Sequence, residues 1–264
     1  MTIMTARRDT TASAVTAGLT GVLTLVVLVR IALGSRRGQE WDESAMNTVT
    51  GGRDARLAVL SVLGYVGIGA IVAVAVGCAV VAVLRGRIVL AVGAVVVIAG
   101  SNVTTQLLKH SVLDRPDVGL GTLNSLPSGH TTVVASAVGA SLLVAPRVWK
   151  PLIALAGGFA TTLTGASTIV AGWHRPSDVV AALAVCLVWT AGVALLLRGP
   201  AVPVAGTVAG VVVGCIGALL FLVAVGVRPV LGWDGFVQSG LVLGAVTAAT
   251  AAFVVAAAAV SPAE

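Results

Sequence analysis

The sequence predicts an all-α, polytopic membrane helix bundle. Three observations carry that prediction. Hydrophobic residues make up 58% of the 264 positions and charged residues only 10%, where soluble domains carry roughly a quarter charged residues. The chain adds 32 glycines to that apolar fraction, which leaves too little polar surface to cover a water-facing globule. Finally, its apolar runs reach the length of roughly 20 residues that a helix needs to cross a bilayer. The net charge of +6 does not point to nucleic acid. Its cations are dispersed in ones and twos between apolar runs, as membrane topology distributes them, and no nucleic-acid partner is expected. Cys78, Cys186 and Cys215 each lie inside an apolar run, so no disulfide framework is implied.

Eight runs are read as spans: residues 13–34, 57–84, 88–108, 131–146, 152–171, 178–197, 202–227 and 236–260. The first follows Arg7 and Arg8 and ends at Ala32-Leu33-Gly34, which resembles a signal cleavage site. Arg30 near its far end suits a snorkelling side chain at the interface, and the run reads as a retained span. The second stops at Arg85 and Arg87, the third at Lys109, the fourth before Arg147 and the sixth at Arg198. The seventh and eighth carry small residues at four-residue spacing, Gly206, Gly210 and Gly214 in one and Gly240, Gly244 and Ala248 in the other. Such faces let helices approach closely. Packing within the chain is the simpler account, and a homodimer through these C-terminal helices is the alternative.

Alternating the connections places Arg7, Arg8, Arg85, Arg87, Arg147, Lys150, Arg198 and the C-terminal tail on one side. These connections are short and almost purely basic, so that side, with both termini, is assigned to the cytoplasm. The other side receives residues 35–56, 109–130, 172–177 and 228–235, with most of the acidic residues. Trp41, Trp149, Trp173 and Trp233 fall at loop or span edges, as an interfacial aromatic belt requires.

In a chain so poor in polar residues, those present are informative. All three histidines, His110, His130 and His174, fall on the outer side. One outer loop holds Lys109, His110, Asp114, Arg115, Asp117, Ser128 and His130, and the next holds His174, Arg175 and Asp178. Cations, imidazoles and carboxylates together are what binding and attacking a phosphate demand. Asn102, Gln106 and Lys109 lie at i, i+4 and i+7, a polar stripe that faces the protein interior rather than lipid.

In Leu126-Pro127-Ser128-Gly129-His130-Thr131, Ser128 is placed to cap the following helix. Gly129 lets a ligand approach the backbone, and the helix N-terminus forms an anion site. By itself the stretch also reads as an ordinary cap with a solvated histidine. In Trp173-His174-Arg175-Pro176-Ser177-Asp178, Pro176 opens the next helix. Asp178, four residues beyond His174, is placed to accept one ring N–H and leave the other nitrogen as a nucleophile. The alternative is a surface histidine with a dipole-stabilising carboxylate. Metal ligation by His130, His174 and Asp178 is a third reading, which repulsion from Lys109, Arg115 and Arg175 opposes.

Lys109 with Arg115-Pro116, then Pro127-Ser128-Gly129-His130, then His174 with Asp178 resemble the three signature motifs of the type 2 phosphatidic acid phosphatase (PAP2) superfamily. The resemblance covers roughly residues 13–197 and implies a six-helix PAP2-like core in residues 1–197, while the two additional transmembrane helices in residues 198–264, read from their apolar runs, lie beyond it. It also implies that His174 attacks phosphorus, Asp178 orients it, and His130 protonates the leaving oxygen and then activates water. Lys109, Arg115, Ser128 and the Gly129 backbone would hold the phosphate oxygens, with no metal and no cofactor. Two departures stand out. Five residues rather than the usual six separate Lys109 from Arg115. In the third motif, Ser167 is followed by Thr168 where the family has arginine. Thr168 then offers a neutral hydrogen bond in place of a charge-assisted one of about twice the strength. Arg175 is read either as supplying part of the lost charge or as binding lipid headgroups. The expected function is hydrolysis of a lipid phosphate, either a polyprenyl diphosphate or a phosphatidate-type substrate. The alternatives are phosphoryl transfer to another lipid, or a catalytically weakened binder or transporter of lipid phosphates.

Overall fold

Apolar residues on every face commit these segments to helix, because inside a bilayer only a helix satisfies its own backbone polar groups. The computed structural model describes residues 10–120, 123–197, 200 and 203–262, and it is an all-α bundle. Arg7, Arg8 and Arg198 lie outside the described residues. In order the elements are α1 (Thr10–Leu28), α2 (Arg36–Met46), β1 (Val49–Gly51), α3 (Arg53–Tyr65), α4 (Ile68–Leu84), α5 (Ile88–Leu107) and α6 (Gly129–Val144). They continue with α7 (Lys150–Val170), α8 (Pro176–Leu197), α9 (Ala205–Ala224), β2 (Val227–Pro229) and α10 (Phe236–Val260). Wider π-helical turns extend α1 to Leu33 and α5 to Val112.

Among the described residues six helices, α1, α5, α7, α8, α9 and α10, are long and apolar enough to cross a membrane, so the protein is a multi-pass membrane protein. The two remaining expected spans differ from the sequence reading. Residues 57–84 do not form one helix. α3 and α4 meet at a bend of 46° across Val66 and Gly67. A straight helix of that length would run about 42 Å at 1.5 Å per residue, well beyond a hydrocarbon core of about 30 Å, and the chain breaks where Gly67 turns extended. The fourth span, α6, has only 16 residues, confined between the Ser128 cap and Pro146.

Residues 35–56, expected as a loop, contain the polar helix α2 and strand β1. β1 pairs antiparallel with β2, Val49 opposite Pro229 and Gly51 opposite Val227, which ties the entry of α3 to the hairpin between α9 and α10. The C-terminal ends of α1, α5 and α7 and the N-terminal ends of α6 and α8 gather at this end of the bundle, with α2 beside them. At the opposite end two cations serve helix C-termini. Arg85 Nη1 donates to Val144 O at 2.7 Å. Buried Lys150 donates Nζ to Ser261 O at 3.2 Å. Both neutralise carbonyls that a helix end leaves open.

The main apolar cluster runs through α5, α6 and α8 and takes in Val211 and Cys215 of α9 and Val254 and Ala257 of α10. The last two helices therefore share the core of the rest. Trp149, Trp173 and Trp233 are exposed at helix ends or connections, and Trp41 is exposed in the middle of α2. The glycine face of α9 is used within the chain. A Cβ on Gly210 would collide with the Pro151 carbonyl, and one on Gly214 with the Leu155 carbonyl of α7. On α10, a Cβ on Gly240 or Gly244 meets nothing within 4 Å. Gly214→Val is expected to destabilise the detergent-solubilised protein by about 1–3 kcal/mol through overpacking, whereas Gly244→Val stays near wild type. Thermal unfolding of both variants checks this, and equal stability would contradict the α7–α9 contact.

Candidate active site

The site is assembled from three helix ends. Ser128 adopts the extended conformation of an N-cap and its Oγ accepts from Thr131 N at 3.4 Å. The cap is locked to α8, because Ser128 N donates to Asp178 O at 2.9 Å. On α7, the Thr168 carbonyl accepts from Trp173 N at 3.0 Å and His174 N at 3.2 Å, closing the turn that delivers His174 to the start of α8. The chain between α5 and α6 is pinned by Asn124, whose Nδ2 donates to Lys109 O at 3.2 Å and Leu113 O at 2.8 Å.

His174 and Asp178 pair across the first turn of α8, with Nδ1 and Oδ2 3.2 Å apart. Both side chains are buried. The same carboxylate oxygen accepts from Ser125 Oγ at 2.6 Å and from Arg175 N at 2.9 Å. With Nδ1 held by the carboxylate, Nε2 is the ring nitrogen left for chemistry. His174 lines a cavity of about 500 Å³ together with His130, Lys109, Gly129, Asn102 and Gln106. The polar stripe of α5 thus faces this cavity, and Asn102 is held there by Ser136 Oγ at 3.1 Å. Trp173 packs beside His130 with ring centroids 5.6 Å apart. Val66 and Gly67, at the break between α3 and α4, complete the wall.

The cavity does not end at the polar residues. Val66, Ile71 and Val133 also line an apolar groove of about 360 Å³ between α4, α6 and α7. Val74, Ser141 and Ile153 carry that groove into a third hollow of about 430 Å³ reaching Trp149. Apolar hollows therefore adjoin the polar site one after another along α4, sharing lining residues from Val66 to Val74.

The other expected phosphate ligands stand away from the cavity wall. Arg115 is buried and its Nη1 donates to Gln39 Oε1 at 3.3 Å. Its Nε and Nη2 have no hydrogen-bond partner among the described residues. Burial, then the nearby Arg175 charge, pulls its pKa below the usual arginine range. A guanidinium stays charged in a protein, so an anion is what this site would favour. Ser128 Oγ is fully buried within its own cap. Arg175 turns neither to the cavity nor to lipid. Its Nε and Nη2 lie 2.7 and 2.6 Å from Glu43 Oε2, and its Nη1 donates to Ser125 Oγ at 3.2 Å. Thr168 is fully buried and its hydroxyl donates to Gly165 O at 2.7 Å within its own helix. That hydroxyl is committed to the turn before it, and the residue serves His174 through its carbonyl instead. Among the described residues no group of three or more His, Cys, Asp or Glu side chains is placed to hold a metal ion.

Sequence reasoning passed over Gln39, Asp42, Glu43 and Ser125. The first three share one face of α2, at i, i+3 and i+4. That spacing was the available signal. Asp42 accepts from Ser177 N at 3.1 Å and, in a shorter contact, from Ser177 Oγ.

Burial pushes the Asp42 carboxyl up to about 6, against the hydrogen bonds from Ser177 that lower it. Unfolded, such a group titrates near about 3.9. The folded state thus holds the proton more tightly, so this contribution to stability is present below about pH 4 and is lost as pH rises through about 6. Thermal unfolding from about pH 4 to pH 7 is expected to show a decline in stability that Asp42→Asn reduces. An unchanged slope in the variant would contradict the assignment.

The PAP2 superfamily family model matches residues 90–199, from the first turns of α5 through the end of α8. No curated protein and no solved structure matches the chain.

Proposed function

With residues 90–199 matching the PAP2 superfamily model, we propose that this membrane protein is a lipid phosphatase working through a phosphohistidine. One observation carries the reading. His174, paired with Asp178, lines one cavity with His130 and Lys109, and an apolar groove adjoins that cavity at Val66, Ile71 and Val133. A phosphate headgroup fits the polar end, and a hydrocarbon tail fits the groove between α4, α6 and α7. A water-soluble phosphate would have no use for the groove.

In this reading Nε2 of His174 attacks phosphorus. The bond to the lipid oxygen breaks, its electron pair goes to that oxygen, and His130 supplies the proton. His130 then takes a proton from water, the water oxygen attacks phosphorus, and the P–N pair returns to His174. Asp178 keeps the reactive tautomer and stabilises the positive charge as the P–N bond forms. Lys109 and the Gly129 amide at the start of α6 offset the charge on the phosphoryl oxygens, and the buried Arg115 charge adds to their field from behind the cavity wall. The substrate class is a polyprenyl diphosphate or a phosphatidate-type lipid, and its partners are that lipid and the bilayer. We place the site on the extracytoplasmic face and both termini in the cytoplasm, because Arg85, Arg147 and Lys150 sit at the opposite end of the bundle.

Phosphate release by the purified protein on phosphatidate and on a polyprenyl diphosphate tests the reaction. Activity is expected to persist with a chelator and to fall by at least about 10³-fold in His174→Ala. Ala137→Phe, in the groove, is expected to raise KM for the long-tailed substrate while sparing a short-chain phosphate. Turnover retained by His174→Ala would refute the mechanism, and a silent wild type would favour a non-catalytic binder. Sidedness is checked with Asp117→Cys, since the three native cysteines are buried. Labelling by an impermeant thiol reagent in intact cells is expected, and protection until the membrane is opened would invert the topology.

A further inference from the structure

The turn that carries His174 is clamped by a helix that lies outside the segment matched to the family. Ser35 caps that helix, α2, by accepting from Gly38 N at 3.0 Å. Its inner face then meets the site at three points. Gln39 holds Arg115, Asp42 holds Ser177 at the start of α8, and Glu43 holds Arg175. The Arg175 and Glu43 side chains are only 11% and 27% exposed, so this pair is not the solvent-screened kind that contributes little.

We propose, building on the phosphatase reading, that Glu43 is a positioning residue for the reaction, acting through Arg175 and Ser125 on the Asp178 carboxylate that holds the His174 ring. The direction of the hydrogen bonds makes the argument. A guanidinium only donates. With Glu43 gripping Nε and Nη2, Nη1 is aimed at Ser125 Oγ at 3.2 Å. Ser125 Oγ accepts that bond and so turns its own proton onto Asp178 Oδ2 at 2.6 Å. The Arg175 backbone N–H reaches the same oxygen at 2.9 Å. The carboxylate is thereby fixed in the position from which it meets His174 Nδ1.

Removing the Glu43 charge has two effects. Arg175 is freed to swing, and Ser125 loses the donor that orients its hydroxyl. The guanidinium charge, one hydroxyl away from the Asp178–His174 pair, also loses its counter-ion, in surroundings that contain Arg115, Asp42 and Asp178, with Lys109 and His130 on the cavity wall. An extra uncompensated cation disfavours the imidazolium form of the nucleophile.

The test is phosphate release from phosphatidate and from a polyprenyl diphosphate by the full-length protein, with kcat and KM measured across pH. The variants are Glu43→Gln, Glu43→Asp, Arg175→Ala and the double variant Glu43→Gln/Arg175→Ala. Glu43→Gln is expected to lower kcat by roughly ten- to a hundredfold with little change in KM. The acid limb of its kcat profile moves to lower pH. Glu43→Asp recovers part of the loss, and the double variant is no worse than Arg175→Ala alone, because the two residues act in series. Wild-type kcat and pH profile in Glu43→Gln would overturn the inference. So would a loss of kcat that follows thermal destabilisation with an unshifted profile, since that marks a fold anchor. A wild type silent on both lipids would overturn the phosphatase reading and this inference with it.

Discussion

The arrangement of this protein depends on one buried carboxylate. Asp178 is fully buried, and an ionised carboxylate in a low-dielectric interior carries a penalty of several kcal/mol unless it is paired and hydrogen-bonded. Its Oδ2 collects His174 Nδ1, Ser125 Oγ and Arg175 N. Its carbonyl accepts from Ser128 N, the cap of α6. A single residue thus fastens the start of α8, the start of α6 and the loop that precedes α6. The polar residues that the chain retains in this region are largely those that this carboxylate requires.

Bringing those helix ends together depends on close packing beneath them. The α7–α9 contact has glycine against backbone, and such approaches replace the hydrophobic drive that lipid does not supply between helices. α7 is in turn the helix whose Thr168 carbonyl closes the turn ahead of His174. The final helices are connected to the site by this route. Lys150 adds to it from the far end, where it holds the last turn of α10.

Much of the site was legible because it obeys helical spacing. A histidine and an aspartate four residues apart across Pro176 read as a pair, and they sit 3.2 Å apart. Asn102, Gln106 and Lys109 read as one face, and they line one cavity. The bundle itself was legible from apolar runs, although the break at Gly67 was read over: the 57–84 run exceeds the span of a bilayer, but its even apolarity does not say where the helix gives way. α2 was missed for a physical reason: it is polar and carries no apolar run. Its most consequential contact, Glu43 with Arg175, spans 132 positions in sequence. The buried ends of Arg115 and Thr168 belong to the same class. Their residue types indicate what they can bind, and only the fold shows which neighbours they meet.

An imidazole held by a buried carboxylate, a second imidazole on the same polar cavity and an apolar groove adjoining it are the features on which the proposed lipid phosphatase reading rests. The central claim is that the phosphoryl group passes through His174. Rapid quenching of the purified protein during turnover of a lipid phosphate, followed by mass spectrometry under alkaline conditions that preserve phosphoramidates, tests it directly. The account predicts a phosphoryl group on the peptide carrying His174, in the wild type and, formed and lost more slowly, when His130 is replaced by alanine. A phosphoryl group on any other residue, or continued turnover with none on His174 in either protein, would contradict it.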